Sequence, residues 1–217
     1  MGTLIVLDLD NTLVDRDQTF AAWARLFAKE QNGTAEDEDW LRIADGDGGV
    51  PRLAFFERIK ERFALSLSIE ELLSSYWEKT FLSLFRCPEP TVAALERLRS
   101  NGYKLGIATN GGAFNQDAKI RYAGLDLLVD GWCISDVVGF HKPDAEIFAL
   151  LAEACGTDLD GAWVVGDSAE HDIAGAEAIG ARSIWMRRGR QWSESAFTPT
   201  FITETLADAA ELILAHD

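Results

Sequence analysis

The 217-residue chain carries 36 acidic and 20 basic side chains, a formal charge of −16. A field of that sign disfavours nucleic acid and anionic membranes as partners. With 47% hydrophobic residues it can bury a core, yet no stretch resembles a membrane-spanning helix.

The first predicted element is a strand. Leu4-Ile5-Val6-Leu7 is a continuous apolar run that ends in Asp8-Leu9-Asp10, the pattern of a strand buried on both faces of a parallel sheet. If the strand continued through them, Asp8 and Asp10 would share a face. No basic region precedes the run, so no secretory signal is expected. Residues 15–31 follow with Phe20, Trp23, Leu26 and Phe27 at helical spacing, stopped by Gln31-Asn32-Gly33-Thr34. A short helix is predicted around Trp40, Leu41 and Ile43, ended by Asp45-Gly46-Asp47-Gly48-Gly49. Pro51 opens a third, with Leu53, Phe55, Phe56, Ile59 and Phe63 on its apolar side. Ser68-Ile69-Glu70-Glu71 caps a fourth, through Leu72, Leu73, Tyr76, Trp77 and Phe81. Nothing strand-like interrupts residues 15–85, so a helical cap is expected over residues 15–87.

From Pro90 the pattern alternates. A helix over 91–100 precedes a strand over 104–108, which ends in Thr109-Asn110-Gly111-Gly112. A helix then runs through about Tyr122, and a strand through about 128–134. A helix over 144–155 is followed by a strand at 162–165 that enters Gly166-Asp167-Ser168. The chain closes with a helix over 171–179, a strand at 183–186 and a helix over 206–214. Such alternation implies an α/β core, a doubly wound, mostly parallel sheet with helices on both faces. That core would comprise residues 1–14 and 88–217. Cys87, Cys133 and Cys155 form no paired motif, which argues against disulfides or a zinc site and suits a reducing cytoplasm.

Ligands of open parallel sheets bind beyond the carboxyl ends of the strands. Asp8 with Asp10, Thr109 with Asn110, and Asp167 fall at three such ends. Lys142 precedes a helix and Asp172 lies one turn into another, so all converge on one edge. Two carboxylates held close repel unless a cation or proton lies between them. Asp8 and Asp10 therefore point to a metal-assisted site in which one carboxylate attacks. The plainer alternative is a pair of turn aspartates satisfying local backbone donors.

Four segments carry a family resemblance. Asp8-Leu9-Asp10-Asn11-Thr12-Leu13, the strand ending in Thr109-Asn110-Gly111, Lys142-Pro143, and Gly166-Asp167-Ser168-Ala169-Glu170-His171-Asp172 resemble, in order, the motifs of the haloacid dehalogenase (HAD) superfamily. The resemblance covers the Rossmann-like core, and the insertion falls where that family places its first-type helical cap. Asn11, the Thr-Asn-Gly turn and the Gly-Asp-Ser segment are similar to the branch of N-acylneuraminate-9-phosphate phosphatases and housekeeping nucleotidases.

The resemblance implies a Mg²⁺-dependent phosphatase acting on a small phosphorylated metabolite; from the cysteines and the acidic surface a cytoplasmic monomer or homodimer is expected. Asp8 would be the nucleophile that forms an aspartyl-phosphate, and Asp10 the general acid and then base. Mg²⁺ would be held by the Asp8 carboxylate, the Asp10 main-chain carbonyl and Asp167, with Asp172 in support. Thr109, Asn110 with the amides that follow, and Lys142 would bind the phosphoryl oxygens. The rivals are a 2-haloacid dehalogenase, a sugar phosphomutase and a non-catalytic binding protein on the same fold. Asp10 argues against the dehalogenase, because a departing halide needs no proton.

Other polar groups carry weaker signals. His141, His171 and His216 lack metal-ligand spacing, and Arg187-Arg188-Gly189-Arg190 reads as a solvated loop, with anion binding as its alternative. The loop 45–49 with Arg52 reads as a helix–helix turn or as a segment that recognises the leaving group. Trp23, Trp40 and Trp77 read as core of the helical insertion.

Overall fold

A computed structural model of the chain describes residues 2–76 and 81–216, so Trp77 lies outside the described residues. The chain divides into two compact units, residues 1–14 with 86–217, and residues 15–85.

The elements described within residues 15–85 are helices: α1 (Arg16–Glu30), α2 (Ala35–Asp45), α3 (Arg52–Arg62), α4 (Ile69–Ser74) and the short α5 (Leu82–Leu84). Asp15 caps α1 through the Gln18 amide, and reciprocal Thr34/Asp37 and Ser68/Glu71 boxes start α2 and α4. α2 begins earlier than its apolar residues indicate, because Glu36, Asp37 and Glu38 in its first turn complement the helix dipole without an apolar signal. The interior is aromatic. Trp23 stacks on Phe27 at 5.1 Å and meets Tyr76 edge-on at 4.8 Å, with Phe55 and Phe56 fully enclosed beside it. Trp40 is half-buried and lies against Phe63, with the Arg62 guanidinium 4.7 Å from its ring centre. The turn after α2 is tied by a buried ion cluster: Asp45 receives Arg16, Arg52 at 2.6 Å and the Gly48 amide at 2.9 Å. Gly46 and Gly48 take the left-handed backbone that this tight turn requires.

The other unit is α/β. β1 (Leu4–Leu7) is followed, after the helical residues, by α6 (Glu89–Ser100), β2 (Lys104–Thr109), α7 (Ala113–Tyr122), β3 (Gly131–Ile134), α8 (Ser135–Val138) and α9 (Ala145–Ala154). Then come β4 (Trp163–Gly166), a π turn over Ala169–Ile173 leading into α10 (Ala174–Ala178), β5 (Arg182–Met186), β6 (Phe201–Thr203) and α11 (Leu206–His216). The described strands form one six-stranded parallel sheet of order β3-β2-β1-β4-β5-β6. The order reverses at β1. Right-handed crossovers therefore carry α6 and α7 to one face and α9 and α10 to the other. On the second face Leu4, Val6, Ala108 and Val164 pack against Ile147, Phe148 and Leu151 of α9 and Ala176 of α10. All four residues of β1 are buried, as expected of a strand covered on both sides.

Several expectations are corrected. β6 was not anticipated: its three residues pair only with β5, and the run is too short to show a period. α8 is a single turn, Ser135–Val138, for which no element was expected. β3 begins at Gly131, since the Leu128 and Val129 amides still bond back to the Leu125 carbonyl of the preceding 3₁₀ turn. β1 stops at Leu7, so Asp8 and Asp10 are not presented by strand alternation. The backbone instead turns through Asn11 at φ 66°, and the Leu13 and Val14 amides bond back to the Leu9 carbonyl.

Candidate active site

The strand reversal puts the ends of β1 and β4 side by side, where a doubly wound sheet opens a crevice. Asp8 follows β1, and its amide donates to the Val165 carbonyl of β4 at 3.0 Å. Asp167 follows β4, and Asp172 lies in the π turn beyond it. Carboxylate oxygens of Asp8, Asp167 and Asp172 all lie within 4.8 Å of one another. Lys142 enters from the loop between α8 and α9. Its ammonium donates at 2.7 Å to Asp8 Oδ1 and at 2.7 Å to Asp172 Oδ1, with the lysine side chain only 3% exposed.

Charge and burial oppose each other here. Burial pushes the Asp8 carboxyl up to about 7, with Asp172 and Asp167 adding to the rise and Lys142 pulling against it. Burial and the Asp172 charge likewise raise Asp167 to about 6, against Arg190 and Arg188. Burial works against the charge on Lys142, but Asp172 and Asp8 overcome it and hold the ammonium above its ordinary range.

The remaining predicted residues divide. Thr109, at the end of β2, is buried, and its Oγ1 accepts a 2.6 Å bond from Gln116 Nε2. The Asn110 side chain does not stand ready for a ligand. It binds the Lys142 main chain twice, accepting from its amide at 2.8 Å and donating to its carbonyl at 3.0 Å. Asn110 thus holds the lysine loop in place. The Gly111 amide, expected among the phosphoryl donors, is taken by Ser135 Oγ at 3.0 Å. The Asp10 carboxylate faces α7, where Oδ2 accepts from Lys119 Nζ at 2.6 Å and Gln116 Nε2 at 3.0 Å.

Sequence reasoning missed Gln116 and Lys119. The available signal was the weak apolar stripe of α7, whose buried residues are Gln116, Lys119 and Ile120. The basic run is partly exposed, as a solvated loop would be, and is engaged as well. Arg190 donates to the Asp167 carbonyl at 2.6 Å and to its Oδ2 at 3.0 Å, Arg188 donates to the Asn11 carbonyl at 3.2 Å, and Arg187 pairs with Glu204. Asp172 Oδ2 accepts the Ser168 amide at 2.9 Å, and the Gly166 backbone leaves it room. A Cβ on Gly166 would stand 2.1 Å from that oxygen. Two histidines make local contacts: His171 closes the first turn with Ser168 Oγ, and His216 Nδ1 lies 2.8 Å from the Leu212 carbonyl; His141 is exposed.

A doubly wound sheet that gathers buried carboxylates and a buried lysine at its reversal point defines an enzyme of the α/β class. Residues 3–180 match the family model of the haloacid dehalogenase-like hydrolases. The chain is 31% identical over 202 residues to the glyceraldehyde 3-phosphate phosphatase of Pyrococcus abyssi, covering 88% of this chain and 83% of that one. It is 28% identical over 222 residues to the pyrimidine 5'-nucleotidase YjjG of Escherichia coli, covering 98% of each. Its fold is similar to that of the magnesium-bound HAD-hydrolase YfnB of Bacillus subtilis, with a TM-score of 0.79, 20% identity and 98% of each chain covered. The chain belongs to the haloacid dehalogenase-like hydrolase family.

Proposed function

We propose that this enzyme hydrolyses phosphomonoesters of small metabolites through an aspartyl-phosphate on Asp8. The observation that carries this reading is the division of the carboxylates. Asp8 lies against a buried ammonium and two further carboxylates, whereas Asp10 is held by a separate lysine and glutamine. One group is placed for attack and the other for proton transfer, which phosphoryl transfer needs and halide departure does not. Relatives named as a phosphatase and a 5'-nucleotidase support the same class.

In this mechanism Asp8 attacks phosphorus while the bond to the leaving oxygen breaks, and Asp10 gives that oxygen its proton. Asp10 then takes a proton from the water that attacks the phosphorus, and Asp8 is released. The Thr109 hydroxyl and the Lys142 ammonium bind phosphoryl oxygens. An ammonium has three donors, of which Asp8 and Asp172 use two.

The clustered carboxylates fit a magnesium ion, which takes oxygen ligands and relieves repulsion between buried acids. Asp8, Asp167 and the Asp10 carbonyl would hold it, with Asp172 in support because both its oxygens already accept protein donors. When bound, the ion supplies positive charge to neutralise the phosphoryl group.

We read residues 15–85 as the family's cap, the part that selects the leaving group, and the protein as a cytoplasmic monomer or homodimer. No described helix is long and apolar enough to cross a membrane, and the acidic charge disfavours nucleic-acid partners.

The test is phosphate release from a panel of metabolite phosphates, with and without Mg²⁺, by the protein and by Asp8→Asn. Mg²⁺-dependent release that falls at least about 10³-fold in a folded variant is the expected outcome. Undiminished release by Asp8→Asn, or no release by the unsubstituted protein, would overturn the reading.

A further inference from the structure

Lys119 and Gln116 have no place in the mechanism above, yet both are buried and both aim at Asp10. Burying a lysine is costly unless it is paired, and the Lys119 side chain is 8% exposed with its ammonium 2.6 Å from Asp10 Oδ2. Gln116 uses one amide nitrogen twice, donating at 3.0 Å to Asp10 Oδ2 and at 2.6 Å to Thr109 Oγ1. The Lys119 ammonium already claims Oδ2 as an acceptor, and the amide turns its nitrogen to the same oxygen.

We propose that Lys119 and Gln116 are positioning residues that assign separate tasks to the two oxygens of Asp10 and fix the polarity of Thr109. The proposal rests on the phosphomonoesterase reading. Oδ2 faces two donors, so a proton placed there would meet their hydrogens. The proton that Asp10 transfers is therefore carried on Oδ1. As the phosphorus–oxygen bond breaks, the Oδ1–H bond breaks and the leaving oxygen gains the hydrogen. The negative charge left on Asp10 develops beside the Lys119 ammonium, which stabilises it without rearrangement. Because Thr109 Oγ1 accepts from Gln116, its own hydrogen is directed elsewhere, as a phosphoryl donor requires. One glutamine thus couples the proton-transfer group to the phosphate-binding group, and both helix residues come from successive turns of α7.

A role through proton donation predicts a dependence on the leaving group that a purely structural role would not show. The experiment compares kcat/KM for phenyl phosphate and 4-nitrophenyl phosphate, in Mg²⁺, for the protein and for Lys119→Met. The 4-nitrophenolate departs readily without a proton, whereas phenolate needs one. kcat/KM also excludes the later hydrolysis of the phosphoenzyme. The expected result is a loss at least about tenfold larger for phenyl phosphate than for its nitro analogue, within the range that general acid catalysis contributes. Lys119→Gln keeps a donor and gives the same inequality if Lys119→Met does not fold, as thermal unfolding will show. Equal losses on the two esters, or no loss on either, overturn the positioning role alone. No release of either phenol by the unsubstituted protein overturns the phosphomonoesterase reading, and this proposal with it.

Discussion

Burial and Lys142 pull the Asp8 carboxyl in opposite directions, and burial prevails. A carboxyl whose pKa is raised on folding makes the native state bind more protons than the unfolded chain. Stability then falls as pH rises, at about 1.4 kcal/mol per pH unit for each fully linked group. Asp8, raised from 3.8 to about 7, and Asp167, raised to about 6, act between about pH 4 and pH 7. Carboxyls held low, such as Asp37 on the Thr34 amide and Glu71 on the Ser68 amide, complete their contribution near pH 4. The metal-free protein is therefore expected to lose stability from pH 5 to 7 and to level off above, read from urea midpoints across that range. A rising midpoint over the same interval would contradict the burial of these two acids. Asp8, Asp10, Thr109 and Asp167 were legible because each is polar and follows an apolar strand, whereas Lys142 and Asp172 stood out through the order of the motifs. Lys119 was not, because its partner Asp10 lies 109 residues away and nothing local requires the pairing.

At the scale of elements, two strand glycines have different reasons to be glycine. In β2, a Cβ on Gly106 would press on Leu151 and Cys155 at 2.9 Å, a matter of packing beneath α9. In β4, a Cβ on Gly166 would displace the Asp172 carboxylate, which holds both Lys142 and the Ser168 amide. Each change to alanine is expected to cost about 1–3 kcal/mol by overpacking. Gly166→Ala should in addition lower kcat of the folded fraction at least about tenfold, since lost positioning at a reacting centre is costly. Gly106→Ala should leave kcat unchanged. Equal kcat in the two variants, measured on protein shown to be folded, would separate Asp172 from the chemistry. Strand β6 shows the limit of periodicity: Phe201-Ile202-Thr203 is a strand only because β5 offers it an unpaired edge.

For the whole molecule, the reversal of strand order at β1 brings Asp8 beside Asp167, and a ligand bound between them must stabilise the fold by mass action. Mg²⁺ at about 100 times its dissociation constant contributes about 2.7 kcal/mol and should raise the thermal midpoint by several degrees. Asp167→Asn should abolish that rise while leaving the protein folded. The same rise in the variant would remove Asp167 from the metal site.

The sequence by itself determined the α/β class, the helical insertion and the main carboxylates, because burial imposes a local pattern: apolar runs where strands are covered, polar residues where they end. It also determined the motif order that marks the family. Only the tertiary structure decided what each group faces. Asn110 turned to the lysine loop, Gly111 to Ser135, Arg190 to Asp167, and Gln116 with Lys119 to Asp10. A buried charge or hydrogen-bonding group must find a partner, and the fold supplies it from whichever element lies nearest in space, however distant along the chain.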